Sequence, residues 1–202
     1  MHMIANIAHS KTRNVLAASA LTLVLVAGAP SIAEACGPRG FIKTVSSKML
    51  SAAKSGSTGS FRSLINSYAD VGAIGNFALG RYRTLVPASD KAAYQKSMAN
   101  FMAKTMAQYS KKFRAIGVEV GRCSASKVTS KLVRNSGRAQ PVVWKVRKAG
   151  GGYKVVDLQV QNVWLGPLMR TTFSNVIKKG GGNINALYAY LGVPRRTTGT
   201  SK

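Results

Sequence analysis

The stretch VVDLQVQNVWLGPLMRTTFSNVI, residues 155–177, changes its hydrophobic period partway along. Up to Trp164 the apolar residues alternate: Val156, Leu158, Val160 and Trp164 share one parity, and Asp157, Gln159 and Gln161 hold the other. From Leu165 the spacing becomes helical, with Leu165, Leu168, Met169, Phe173, Val176 and Ile177 on one stripe. Side chains alternate across a strand but return every 3.6 residues on a helix. The stretch therefore predicts a strand with one apolar face running almost directly into a helix with one apolar face. The two faces enclose either each other or something that is not protein.

The rest of the chain reads as helices first and strands after. Phe41, Ile42, Val45 and Met49 recur at helical spacing, and SGSTGS (55–60) reads as a flexible joint. Phe61, Leu64, Ile65 and Tyr68 mark a second helix. Asp70 is placed to cap a short third one carrying Val71, Ile74, Phe77 and Ala78, which Gly80 ends. Pro87 and Ser89 start the clearest helix, whose stripe is Tyr94, Met98, Phe101, Met102, Tyr109 and Phe113. Strands follow: Ile116, Val118 and Val120 alternate, KVTSKLVR is a weaker strand ended by Asn135-Ser136-Gly137, and Val142, Trp144 and Val146 alternate with Val143, Lys145 and Arg147. AGGG (149–152) is a hairpin turn. After the helix at 165–179 comes a short one around Ile184 to Leu191. The expected fold is α+β: a four-stranded antiparallel curved sheet with helices packed on one face.

The first residues have the order of a secretory signal: Lys11 and Arg13, an uncharged apolar run from Val15 to Ala29, then small residues ending in Ala33-Glu34-Ala35. The expected organisation is a signal peptide over 1–35, one domain over 36–192 and a flexible basic tail over 193–202. Cys36 would then lead the exported chain. Ala33 and Glu34 stand where a lipobox wants Leu and a small residue, which disfavours lipidation. An exported chain with two cysteines, Cys36 and Cys123, can join them, and the sequence leaves that pairing open.

Removing residues 1–35 takes both histidines, His2 and His9, with it. The remaining acids are Asp70, Asp90, Glu119 and Asp157. General acid–base catalysis and zinc binding draw mostly on residues this chain then lacks. No acid pair, nucleophile motif or phosphate-binding loop is evident. The sequence therefore argues against an enzyme and against a metal site.

Lys and Arg total 30 against 5 acids, a formal charge of +25. Without Lys11, Arg13 and Glu34 the balance is 28 against 4, so the exported chain is about as basic. Such a surface attracts nucleic acid, anionic headgroups or acidic proteins. The basic residues are spread along the chain with no nucleic-acid motif among them, and export adds to the case against nucleic acid.

Two blocks resemble a known family. FALGRYR (Phe77 to Arg83), followed by a helix opened by Pro and Ser, resembles the MlaC family, also called the toluene-tolerance auxiliary family. KVVDLQVQNVWLGPLMRTTFSNVI (154–177), then a Gly-Gly stretch and INALYAYL, resembles its C-terminal block, with Asp157, Arg170 and Phe173 in the motif positions. The likeness runs from about Phe41 to Leu191 in matching order. Arg83 stands where the family commonly has Trp, Asn162 and Trp164 where it has Gly and Ser at a bend, and Met169 where an aromatic is frequent.

The resemblance implies a periplasmic lipid carrier that shuttles phospholipids between an outer-membrane lipoprotein/porin complex and an inner-membrane ABC transporter complex. It implies acyl chains in a cavity between sheet and helices, with the bound phospholipid as ligand and no other cofactor. The lipid-contact candidates are Ile74, Phe77, Leu79, Tyr82, Phe101, Met102, Trp144, Val160, Trp164, Met169, Arg170 and Phe173. For each apolar one, simple core packing is the competing role. Arg170 either meets a lipid phosphate or pairs with Asp157, the latter being favoured, and Tyr82 and Arg83 stand at the mouth or on plain surface. Anionic membranes and acidic docking surfaces are the expected electrostatic partners. The competing functions are an exported scaffold without ligand, a polyanion binder, and a carrier of another lipid such as a hopanoid or sterol.

Overall fold

A computed structural model describes residues 36–113 and 115–194. The expected signal peptide and residues 195–202 of the expected tail lie outside the described residues.

Helix α1 (Pro38–Ser55) starts with Pro in its first turn and ends at Gly56, whose φ of 64° suits a residue without Cβ. Ser57 then accepts the N–H of Ser60 and opens α2 (Thr58–Tyr68). SGSTGS is thus a C-cap and an N-cap back to back, and not the flexible joint its composition suggests. Asp70 accepts the Ala73 N–H at 2.9 Å and opens α3 (Val71–Leu79), which ends at Gly80. Two 3₁₀ turns, Gly80–Leu85 and Ala88–Asp90, lead into α4 (Lys91–Phe113).

The sheet is an antiparallel meander in chain order: β1 (Ala115–Cys123), β2 (Lys127–Arg134), β3 (Gln140–Ala149), β4 (Gly152–Val160) and β5 (Val163–Trp164). Gly150 and Gly151, both with positive φ, make the tight β3–β4 turn. The sheet has five strands, not four, because Gln161 and Asn162 also take positive φ (51° and 63°) and fold the chain back on itself. Trp164 consequently pairs with Gln159 and shares its face of the sheet, opposite to Leu158 and Val160. A second departure from strict alternation is a bulge in β4. Lys145 pairs with Asp157 but Val146 pairs with Val155, so Val156 is the extra residue and Val155 is the buried one.

The chain continues into α5 (Leu165–Lys179), the helix expected there, and α6 (Ile184–Leu191), opened by Asn183. Val193, assigned from sequence to the tail, is buried and donates its N–H to Tyr188 O. The far edge of β4 is covered piece by piece. Ala69 bridges Val155, the Asp157 carboxylate holds Gly166, and β5 pairs with the last residues.

Among the described residues, buried apolar side chains form three clusters. Ala78, Met98, Phe173 and Leu187 lie among α3, α4, α5 and α6. Ile42, Val45, Val128 and Trp144 join α1 to the sheet. Ala52, Phe61, Ile65 and Ala103 join α1, α2 and α4. A Cys36–Cys123 disulfide ties the start of α1 to the end of β1, with Cα atoms 6.2 Å apart.

Candidate functional site

Where the three clusters meet, the side chains enclose two apolar lobes. The first, about 230 Å³, lies among α1, α2, α4, α5 and the inner face of β3 and β4. The second, about 280 Å³, runs beneath the sheet between α1 and α4. Met49, Thr105, Met106, Trp144, Leu158 and Leu165 line both lobes and form the wall between them. Together the lobes fall in the ~300–1,000 Å³ range of small-molecule sites. Each reaches the surface: Leu168 (52 % exposed) and Tyr190 (47 %) border the first, Tyr109 (46 %) the second.

The sequence makes this wall by putting apolar side chains from different periods on one side. The inward row of the sheet is Val142, Trp144 and Val146, matched across β4 by Val160, Leu158 and Val155. From above, α1 contributes Val45 and Met49, and α4 contributes Phe101, Met102 and Met106. Trp144 is locked in place because its Nε1–H donates to the Ser130 hydroxyl at 2.8 Å, both groups being buried. Phe101, Phe173 and Tyr190 pack edge-on and tilted, with centroids 5.5–6.4 Å apart. Methionine walls adapt to varied apolar shapes, since the thioether chain is unbranched and polarizable.

The carboxylate beside the first lobe is engaged in backbone hydrogen bonds. Asp157 Oδ1 accepts the N–H groups of Leu158 and Gly166. Among the described residues no group of His, Cys, Asp or Glu is arranged to hold a metal. Behind the first lobe, Tyr94 donates to Gly75 O at 3.0 Å, and burial, with the neighbouring Tyr188, pushes its phenol well above the usual range. Tyr188 donates to Asp90 at 3.2 Å, and burial together with that carboxylate raises its phenol to about 12. Both phenols stay neutral and act as hydrogen-bonding struts. Such a chamber offers contact to hydrocarbon and no acid–base pair.

The structure divides the residues singled out from the sequence. Ile74, Phe101, Met102, Met169 and Phe173 line the first lobe, Val160 the second, and Trp144 both. Leu79 is fully buried among the helices, and Tyr82 packs against the same cluster with the Arg81 guanidinium over its ring. Neither reaches a lobe. Phe77 and Trp164 lie in a separate groove outside the sheet. For Trp164 the reason is the Gln161–Asn162 reversal, which puts it on the face away from the lobes.

Arg170 does not pair with Asp157. Its Nε donates to Phe77 O at 2.8 Å, and its guanidinium lies over the Phe77 ring, 3.8 Å from the centroid. It clamps α5 to the C-terminal end of α3, where a cation meets the negative end of the helix dipole. An ion pair that does form among the described residues is Asp70–Arg147. Lining residues not singled out include Val155, Leu158 and Leu165. The alternation of β4 pointed to Leu158, whereas Val155 became visible only through the bulge.

The comparisons agree with this architecture. The family model described as MlaC protein matches residues 41–192. The fold is similar to that of the phospholipid-binding protein from Ralstonia solanacearum, solved in complex with a phospholipid. The match has a TM-score of 0.66 and 21% identity, and it covers 78% of this chain and 96% of that one. No curated protein matches the chain. Asn162 takes the left-handed turn at this bend, since Asn tolerates positive φ better than most residues. A family match over most of the described residues, together with a shared fold, gives the assignment: the chain belongs to the MlaC family.

Proposed function

We propose that this protein is a periplasmic phospholipid carrier that holds acyl chains in the two lobes and exchanges its cargo with membrane-bound transport complexes. The observation that carries this reading is the pair of adjoining lobes, walled almost wholly by hydrocarbon and open to the surface. Hiding an acyl chain is worth about 0.8 kcal/mol per CH₂, so a lipid binds such a chamber strongly without any charged contact. Lobes on either side of the Met49–Met106–Trp144 wall suit a ligand with more than one tail. Strong burial also means that release depends on a partner that opens the chamber or competes for the tails. Members of the MlaC family are periplasmic, and among the described residues no helix is long and apolar enough to cross a membrane.

The test is direct. The exported protein is purified from a bacterial periplasm, extracted with organic solvent and analysed by mass spectrometry against an unrelated periplasmic protein. Stoichiometric diacyl phospholipid is the expected result. A folded but empty protein would overturn the reading in favour of a scaffold, and a hopanoid or sterol would reassign the cargo.

A further inference from the structure

The outer face of the sheet carries a second concavity, of about 450 Å³, whose lining differs from that of the lobes. Its apolar surface comes from Phe77 on α3, Val156 at the bulge, Trp164 on β5 and Pro167 on α5, and its charged rim from Lys127 and Lys145. Three features of the chain converge to make it. The bulge turns Val156 outward, the Gln161–Asn162 reversal brings Trp164 to the same face, and the Arg170 clamp holds Phe77 beside them. Phe77 is left 42 % exposed, a large apolar side chain in an open groove.

The electrostatics of this face are unusual. Lys127 stands directly opposite Lys145 across β2 and β3, and Arg147 directly opposite Lys154 across β3 and β4. Like charges in facing positions destabilise a sheet. Two of these cations are compensated: Arg147 pairs with Asp70, and Lys154 donates to Ser67 O at 2.6 Å. Among the described residues no carboxylate lies within ion-pair distance of Lys127 or Lys145. The acid in the groove, Asp157, stands directly opposite Lys145 across β3 and β4, and its Oδ1 accepts the N–H groups of Leu158 and Gly166, so its charge offsets Lys145 only in part and leaves Lys127 without a facing acid.

We infer that this groove is a docking site for an acidic protein segment that carries an aromatic or large aliphatic side chain. The carboxylates would neutralise Lys127 and the charge on Lys145 that Asp157 does not offset, and the apolar side chain would seat against Phe77, Val156 and Trp164. A concave, partly apolar surface suits a protruding segment, whereas a flat membrane would engage only the rim. The inference does not rest on lipid carriage, because the groove shares only Asp157 with the lining of the lobes.

The experiment pans a phage-displayed random dodecapeptide library against the exported protein, then measures synthetic versions of the enriched peptides by fluorescence anisotropy. The expected peptides are acidic and carry an aromatic or large aliphatic residue. Their affinity falls about tenfold or more in the K127E/K145E double variant, as for loss of complementary charge at an interface, and also in Trp164→Ala. K43E/K48E, the same change of net charge placed on α1, leaves affinity nearly unchanged. Circular dichroism checks the fold of each variant, and the double lysine change stands alone if Trp164→Ala disturbs β5. The inference is overturned if no acidic peptide is enriched, if K127E/K145E binds as well as wild type, or if both double variants weaken binding equally. It is also overturned if K127E/K145E abolishes binding to phosphatidylglycerol vesicles while leaving the peptides untouched, which would make the occupant a membrane.

Discussion

Asp157 on β4 accepts the backbone N–H of Gly166 on α5 at 2.9 Å, and the same oxygen accepts the N–H of Leu158 at 2.8 Å. Trp164, at the N-cap position of α5, offers no side-chain cap, so a strand residue supplies what the helix start lacks. The approach is so close that a Cβ on Gly166 would sit 2.9 Å from Asp157 Oδ2 and 3.1 Å from the Phe77 ring. This one contact fixes the angle between the last long strand and the helix that closes the first lobe. Asp157→Ala should lower stability by about 1–2 kcal/mol, the usual cost of a lost cap. Asp157→Asn should recover most of it, because the amide oxygen still accepts. Urea unfolding of the three proteins measures this, and equal stability of all three would remove Asp157 from the account.

A second carboxylate gives the fold a pH-dependent contribution to stability. Burial pushes the Asp70 carboxyl up, but the Ala73 N–H, the Arg147 guanidinium and the charge of Lys154 outweigh it and hold the group below the usual carboxylate range. A folded-state pKa below the unfolded one stabilises the protein above the unfolded value, about 3.9. That contribution disappears as pH falls through the lower, folded value. Asp70→Asn keeps an oxygen for the helix cap but loses the charge. The stability gap between wild type and this variant should therefore be present at neutral pH and shrink below about pH 4. Denaturant titrations at neutral and acid pH read the gap, and a gap independent of pH would contradict the assignment.

How far the sequence carried this fold depends on whether each signal was local. The limits of α5 and α6 and the capping role of Asp70 were legible because caps and periodicity act within a few residues. Trp164 was misplaced because the turn before it contains Gln161 and Asn162, not the glycine that usually announces a reversal. The bulge at Val156 had no local mark either, and one inserted residue was enough to exchange Val155 and Val156 between faces. The partner of Arg170 could not be read because Phe77 lies 93 positions away, while the obvious counter-charge was much nearer in sequence. Void and core are indistinguishable in a stripe. Met98 and Met102 lie one turn apart on α4, yet the first is fully packed and the second faces the first lobe.

The Cys36–Cys123 disulfide spans a sequence separation of 87 residues and holds α1, which lines both lobes, against the sheet. In the chain-entropy description a loop of this length is worth about 4–5 kcal/mol, and measured losses run about 2–5 kcal/mol. C36S/C123S should unfold at lower temperature than wild type under oxidising conditions. Adding dithiothreitol should lower the midpoint of wild type toward that of the variant and leave the variant unchanged. A wild-type midpoint insensitive to reductant would show that the bond contributes nothing to stability.

Met106 is the most exacting place to test the chamber, because it lines both lobes from the middle of α4. Met106→Trp puts a larger, rigid ring into the wall between them. Its neighbours on that wall, Trp144 and Leu158, belong to the sheet, and Trp144 is held by Ser130, so they have little room to retreat. The added volume must displace ligand or strain the fold. Lys104→Trp, on the exposed side of the same helix, carries the same ring without entering a lobe. Phospholipid per protein should fall by roughly half or more in M106W, since a filled pocket leaves its ligand no surface to bury, and should stay at the wild-type level in K104W. Thermal unfolding distinguishes a blocked chamber from a collapsed one. If folded M106W carries as much lipid as wild type, the acyl chains do not lie between the sheet and α4, and the cargo must be held elsewhere on the molecule.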